Sequence, residues 1–182
     1  NFDLYLKNLN AVGKNDSIYT SNAQIDGKST FKIDSSFPLS RSKSTILETL
    51  TPKISLRVNP GNNMNDYSSS SKNITANNVF NINRLGISND FEAGKSLTLG
   101  LDYKFDFLEN DLSKDTKDKY LEFKLATVVR DKYESNIPIS STINKKNSDI
   151  FGSLNNKIFD NVNLGYNFSL DNNLQTLNSH SI

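Results

Sequence analysis

This sequence predicts an all-β fold: an antiparallel transmembrane β-barrel segment, an incomplete barrel wall with long extracellular loops. Three observations predict it. Apolar residues alternate with period two over long stretches, no stretch carries a capped 3.6-residue apolar stripe, and the connections between the strong strands alternate between long and short. The same alternation of long outer loops and short inner turns is what an outer-membrane barrel requires.

The clearest strand is 96–107, SLTLGLDYKFDF. Leu97, Leu99, Leu101, Tyr103, Phe105 and Phe107 take every odd position, against Ser96, Thr98, Gly100, Asp102, Lys104 and Asp106 on the even ones. Residues 119–131 repeat the pattern with Leu121, Phe123, Leu125 and Val129 against Glu122, Lys124 and Arg130, blurred by Tyr120 and Val128. Residues 162–171 set Val162, Leu164, Tyr166, Phe168 and Leu170 against Asn163, Gly165, Asn167, Ser169 and Asp171. Residues 46–58 do the same with Ile46, Leu50, Ile54, Leu56 and Val58, interrupted by Glu48 and Pro52. Weaker strands are expected at 2–12, 18–25, 29–34, 148–158 and 174–182. The strong strands exceed the usual soluble length and approach the about 9–11 residues that cross a bilayer at a tilt.

Between them run 59–95, 108–118, 132–147 and the tight Asp160-Asn161. Alternation places 59–95 and 132–147 outside and the other two on the periplasmic side. Phe105, Phe107, Tyr120 and Phe159 then gather at the periplasmic rim, with Tyr133 at the other, as an aromatic girdle requires. The abrupt ends, Asn1 beside an already alternating Phe2, Leu4 and Leu6, read as a piece of something longer.

Composition narrows the chemistry. Lys and Arg number 21 against 20 acidic residues, a net charge of +1, so no nucleic-acid partner is implied. Zero Cys and one His, His180, exclude thiolate chemistry and multi-His metal sites. With no nucleophile-elbow motif, no Walker or dinucleotide glycine motif and no calcium-loop spacing in the acidic stretch Asp106, Glu109, Asp111, Asp115 and Asp118, no catalytic residue, metal or cofactor is assigned. The chain does not read as an enzyme. Parity instead turns Lys53, Arg57, Asp102, Lys104, Glu122, Lys124, Arg130 and Lys157 inward, with Asp149, Asn163 and Asn167. A hydrated interior walled by mixed charges and amides suits sugars and phosphates, and these eight charged residues are the candidates for such contact.

The segment Asn78-Val-Phe-Asn-Ile-Asn83-Arg84-Leu-Gly86-Ile-Ser-Asn-Asp90-Phe-Glu92-Ala-Gly94, directly before the Leu97 strand, resembles the N-L-F-S-x-N-R-x-x-G-x-D-x-x-E-x-G segment of the LPS-assembly family LptD, also called OstA or Imp. Around it, Phe37-Pro38-Leu39, Leu47-Glu48, Asn59-Pro60, the run Lys124 to Lys132, Lys146 to Asp149 and Tyr166 to Asn172 follow the family's order. The similarity covers about residues 37–182 and has an alphaproteobacterial-like character. Thr49, where many relatives carry Pro, and the looser spacing at Asn89-Asp90 depart from it.

The resemblance implies a Gram-negative outer-membrane translocon that assembles lipopolysaccharide at the cell surface. A periplasmic jelly-roll domain feeds its barrel, periplasmic LPS-transport proteins supply it, and a plug lipoprotein, LptE, sits inside. Residues 1–182 would then be a middle fragment of the C-terminal barrel domain, set in outer-membrane lipid and containing no jelly roll. Asn83, Arg84, Gly86, Asp90, Glu92 and Gly94 would be structural loop residues, with Arg84 and Glu92 forming an ion pair as loops 59–95 and 132–147 fold over the mouth. Two other classes stay open: a generic porin or transporter barrel for small solutes, and a soluble β-rich binding or adhesion module.

Overall fold

The computed structural model describes residues 1–14, 21–61, 64–108, 119–159 and 162–182. Within them the alternating stretches form nine strands: β1 Phe2–Ala11, β2 Gln24–Ser36, β3 Leu39–Lys43, β4 Ile46–Asn59, β5 Gly94–Phe107, β6 Lys119–Arg130, β7 Ile150–Phe159, β8 Val162–Leu170 and β9 Leu177–Ser181. Each pairs antiparallel with its neighbour in the order β1-β2-β4-β5-β6-β7-β8-β9, with β3 also on β4, and the sheet ends at β1 and β9 without closing. The expected strands at 18–25 and 29–34 are one strand starting at Gln24, and residues 15–20 lie outside the described ones.

β2 and β3 are halves of one strand. Phe31↔Val58 and Ser36↔Lys53 share a register with Leu39↔Leu50 and Lys43↔Ile46, so the ladder on β4 is interrupted only around Phe37-Pro38. Proline lacks the N–H that a ladder needs, and Pro38 faces the stretch of β4 that contains Pro52. The Phe37 N–H still donates to the Pro52 carbonyl at 3.1 Å. Ser44-Thr45 then closes a tight hairpin between β3 and β4.

This hairpin lies at the same end of the sheet as the β5–β6 and β7–β8 connections, residues 109–118 and Asp160-Asn161, which lie outside the described residues. The long excursions 60–93 and 131–149 share the other end. The two longest excursions thus share one rim, where the shorter β8–β9 connection 171–176 also lies, and the tight Ser44-Thr45 turn lies at the other.

Period two gives the sheet two unlike faces. The outer face carries Phe2, Leu4 and Leu6 on β1, Ile54 and Leu56 on β4, Leu99 and Leu101 on β5, Phe123 on β6, Leu154 on β7 and Leu164 on β8; all are exposed, Leu6 by 73% and Leu101 by 39%. On the inner face sit the charged and amide residues. Tyr120 departs from the girdle expectation. It shares the inner face with Glu122, its ring 5.0 Å from the Lys104 ammonium, because its parity is even. Tyr103 and Phe105 lie edge to face at 4.6 Å near the short-turn rim. The Phe159 side chain lies outside the described residues.

The hydrophobic core lies between sheet and excursions. Met64, Ile74, Ala76, Val79, Leu85, Ile87 and Ala93 from 60–93, with Ile137 and Ile143 from 131–149, bury against Ala126, Val128 and Phe151 on the inner face. The excursions thus fold down along the inner wall instead of capping its mouth. Asn136 ties them together, its amide donating to the Met64 carbonyl at 2.9 Å while its own carbonyl accepts from the Tyr67 N–H at 3.0 Å. A glycine makes room for them: at Gly100 a Cβ would stand 2.6 Å from the Phe80 ring, so only a hydrogen lets that ring lie on β5.

Candidate functional site

The inner wall divides into two zones along the strands. Near the long-loop rim, register aligns Arg57 of β4, Ser96 of β5 and Arg130 of β6 in one row across three strands. Over this row the excursion 60–93 lowers Glu92. Its carboxylate accepts from Arg84 Nε at 2.7 Å and from Arg57 Nη1 at 3.0 Å, and it pairs with Arg84 Nη2 and Arg130 Nη2. All four side chains are buried.

Most of the remaining guanidinium donors are also taken up, while Arg57 Nε is buried without a hydrogen-bond partner. Arg84 reaches Thr98 Oγ1 at 2.9 Å, Ser96 Oγ at 3.0 Å and the Val79 carbonyl at 3.2 Å. Arg57 donates to the Asn81 carbonyl at 2.6 Å; Arg130 donates to the Ala93 carbonyl at 2.9 Å and to that of Ile143. The cluster thus fastens both excursions to three strands. Burial alone would raise the Glu92 carboxyl, but Arg84, Arg57 and Arg130 outweigh it and hold it well below the usual carboxylate range.

The neighbouring motif residues shape the backbone that delivers Glu92. Asn83 accepts from the Ile87 N–H at 2.9 Å and donates to the Ile87 carbonyl at 3.0 Å, bracketing Gly86 at φ +66°. Asp90 accepts from the Asn65 N–H at 2.6 Å and the Phe91 N–H at 2.8 Å, and meets Lys28 of β2 at 3.0 Å. Lys7 of β1 donates to the Ser88 carbonyl at 2.8 Å and lies 4.5 Å from the Phe91 ring centre. Gly94 begins β5 at φ +76°, and a Cβ there would overlap the Glu134 carboxylate. Gly94→Ala should cost about 1–3 kcal/mol through a strained backbone. A lower urea midpoint for the folded full-length barrel would register it, and an unchanged midpoint would refute it.

The second zone lies toward the short-turn rim. Here Lys53 pairs with Asp102, Lys104 meets Asp106 at 2.6 Å and Lys124 meets Glu122 at 3.0 Å. Cross-strand register sets Asp102 opposite Lys124 and Lys104 opposite Glu122, the opposite-sign pairing that favours a strand pair. Asn77, at the lower edge of the excursion, accepts from Lys124 at 3.0 Å and donates to Ser153 and Asn167, each at 3.3 Å. Lys157 lies on the same face of β7, opposite Tyr120.

All eight inward candidates therefore share the inner face, but in two groups. Lys53, Asp102, Lys104, Glu122, Lys124 and Lys157 line the ladder of charges, whereas Arg57 and Arg130 are enclosed with Glu92. The motif residues are brought together as one structural unit, and Arg84 and Glu92 do form the expected ion pair. Sequence reasoning missed Lys28, Lys7 and Asn59, whose amide donates to the Glu92 carbonyl at 3.1 Å. Even parity of Lys28 within β2 was the available signal. Among the described residues no group of three or more His, Cys, Asp or Glu could hold a metal ion.

An open antiparallel sheet with an apolar outer face, whose inner face is stitched to Asn83, Arg84, Gly86, Asp90, Glu92 and Gly94, agrees with what the whole chain matches. Residues 5–182 match the LptD family, described as LPS transport system D. The chain belongs to the LptD family. No curated protein and no solved structure matches it. The match includes β1 and β2, upstream of the segment from Phe37 onward that carries the resemblance. LptD membership gives the chain a role in lipopolysaccharide transport and places it with the proteins of the Lpt system, a transport family and not an enzyme family.

Proposed function

We infer that this chain forms wall and inner lining of the outer-membrane translocon that delivers lipopolysaccharide to the surface of a Gram-negative cell. The observation that carries the reading is the two-faced sheet: an apolar outer face from β1 to β8, and an inner face most of whose charges are paired or clamped to the chain's own excursions. A sheet exposing Leu4, Leu6, Leu99, Leu101 and Leu164 on one side needs an apolar surround, and a bilayer supplies it. No helix among the described residues is long and apolar enough to cross a membrane.

In this reading residues 1–182 are a middle part of the C-terminal barrel, fed by a jelly roll outside this stretch and accompanied by a plug lipoprotein such as LptE. Lys53, Asp102, Lys104, Glu122, Lys124 and Lys157 face the route of the sugar and phosphate groups, and the pairing of Lys53, Lys104 and Lys124 with acids keeps the surface hydrated without a strong net field. Arg57 and Arg130 act on the wall and not on the cargo. The chain performs no bond-making step. An open diffusion pore is less well supported, because the excursions occupy the inner face over the long-loop half of the wall.

Depleting the full-length protein in cells should remove lipopolysaccharide from the outer surface and let it accumulate behind the outer membrane. Normal surface lipopolysaccharide with altered uptake of small solutes would favour the porin. A second test addresses the outer face: Leu101→Arg should cost about 2–4 kcal/mol if that position faces mid-bilayer. It should cut the yield of heat-modifiable, folded barrel, whereas an unchanged yield would place that face in water.

A further inference from the structure

A carboxylate stands on the otherwise apolar outer face. Glu48, the residue that breaks the apolar alternation of β4, points outward with Ile46, Leu50 and Ile54, close to the Ser44-Thr45 turn. Two cations of β3 with the same outward parity converge on it. Arg41 donates through Nε at 3.2 Å and Nη2 at 2.5 Å, Lys43 meets the other oxygen at 3.0 Å, and the Tyr103 hydroxyl lies 3.4 Å away. Glu48 itself is buried beneath them, while the Arg41 and Lys43 side chains are 66% and 57% exposed. One carboxylate against two cations leaves a net charge of +1, with Arg41 Nη1 and the remaining Lys43 protons as spare donors.

The cluster borders a groove of about 230 Å³ lined by Leu39, Ser40, Arg41, Glu48, Leu50 and Tyr103. One end is apolar and the other cationic. We propose that this groove seats a glycerophospholipid of the inner leaflet, its headgroup phosphate held by Arg41 and Lys43 and the start of an acyl chain lying on Leu39 and Leu50. Charge complementarity selects a phosphate, since the cations outnumber the acid and Arg41 presents a planar fork suited to its oxygens. Position selects the leaflet: in outer-membrane barrels the short turns are periplasmic, and Ser44-Thr45 belongs to that rim. Glu48 is the positioning residue, since it holds two long side chains at one spot before the lipid arrives. The Tyr103–Phe105 pair adds the amphipathic aromatic surface found at headgroup level.

The proposal rests on the membrane reading, and its test separates the two. Full-length protein would be purified in detergent, offered phosphatidylglycerol and lipopolysaccharide together, and scored for retained lipid by native mass spectrometry. The wild type should retain phosphatidylglycerol, with Arg41→Gln/Lys43→Gln losing it tenfold or more, given about fivefold per cation near an anionic lipid surface. Glu48→Gln should weaken retention less. Lys95→Gln, on the outer face of β5 at the opposite rim, should leave it unchanged. Equal retention by the double variant, an equal loss in Lys95→Gln, or selective retention of lipopolysaccharide would overturn the site. A wild type that retains neither lipid and stays out of vesicles would overturn the membrane reading itself.

Discussion

Glu92→Ala is expected to abolish most assembly of the full-length barrel. The substitution leaves Arg57, Arg84 and Arg130 buried together without their shared counter-charge. Removing one partner of a buried ion pair typically costs about 3–5 kcal/mol, and here three cations lose the same anion. Outer-membrane yield of folded barrel should collapse, with surface lipopolysaccharide falling in step, and normal yield would refute the clamp. Arg84→Ala should be less severe, because Arg57 and Arg130 would still neutralise Glu92. The clamp also sets an acid limit. A carboxyl held below its ordinary range stabilises the fold fully above its unfolded value of about 4.3, and that contribution drains away as pH falls below it toward the depressed folded value. Protease protection of segment 64–93 in purified full-length protein should therefore fade below about pH 4. Glu92→Gln should lack that component of the acid response.

Val128→Asp is the second large effect expected, and it discriminates between two pictures of the inner wall. On a water-filled lumen an added carboxylate at an inward position is harmless. Val128 is instead fully buried in the cluster with Val79, Ile137 and Ile143, and its N–H donates to Ser148 Oγ at 2.9 Å. A carboxylate there is desolvated among apolar side chains, and the nearest cations, Arg84 and Arg130, are already engaged by Glu92, so it costs several kcal/mol even if it takes up a proton. The folded barrel should lose its protease-resistant excursions or fail to accumulate. Asn163→Asp, inward by parity on β8 and exposed to solvent, serves as the contrast and should be nearly silent. Comparable behaviour of the two variants would mean that the excursions do not seal the wall.

The strands and the two faces were legible in the sequence because a period of two survives any detail of packing. Leu97 to Phe107 announces its outer face without structure. What escaped notice was written in small irregularities. Val128 and Tyr120 look like noise in the β6 alternation, yet Val128 marks where an excursion lands and Tyr120 where the inner face supports a lysine. The Ser44-Thr45 turn carries neither Gly nor Asn, so nothing local marked it, and the Phe37-Pro38 break made one strand look like separate pieces. The core was hidden for another reason. Ile74, Val79, Leu85 and Ile87 are scattered among polar residues with no period, since a chain that folds back on a wall buries single side chains instead of a stripe. At the site, the Arg84–Glu92 pair came from a motif, but Arg57 and Arg130 could be placed only as inward cations. That both meet the same carboxylate depends on the register of three strands.

The dependence on register also runs the other way. Shifting a strand by one residue exchanges its faces, so a slip of β4 or β6 against β5 would throw Arg57 or Arg130 outward into the apolar surface. Glu92 would then descend onto a row missing a cation, and the excursion would have nothing to close upon. The cluster therefore works as a checksum on strand alignment: it reads three strands and the incoming loop at once and seals only when all agree. A wall assembled out of step keeps a charge in lipid and an undocked excursion, and stays distinguishable from a finished one until the error is corrected.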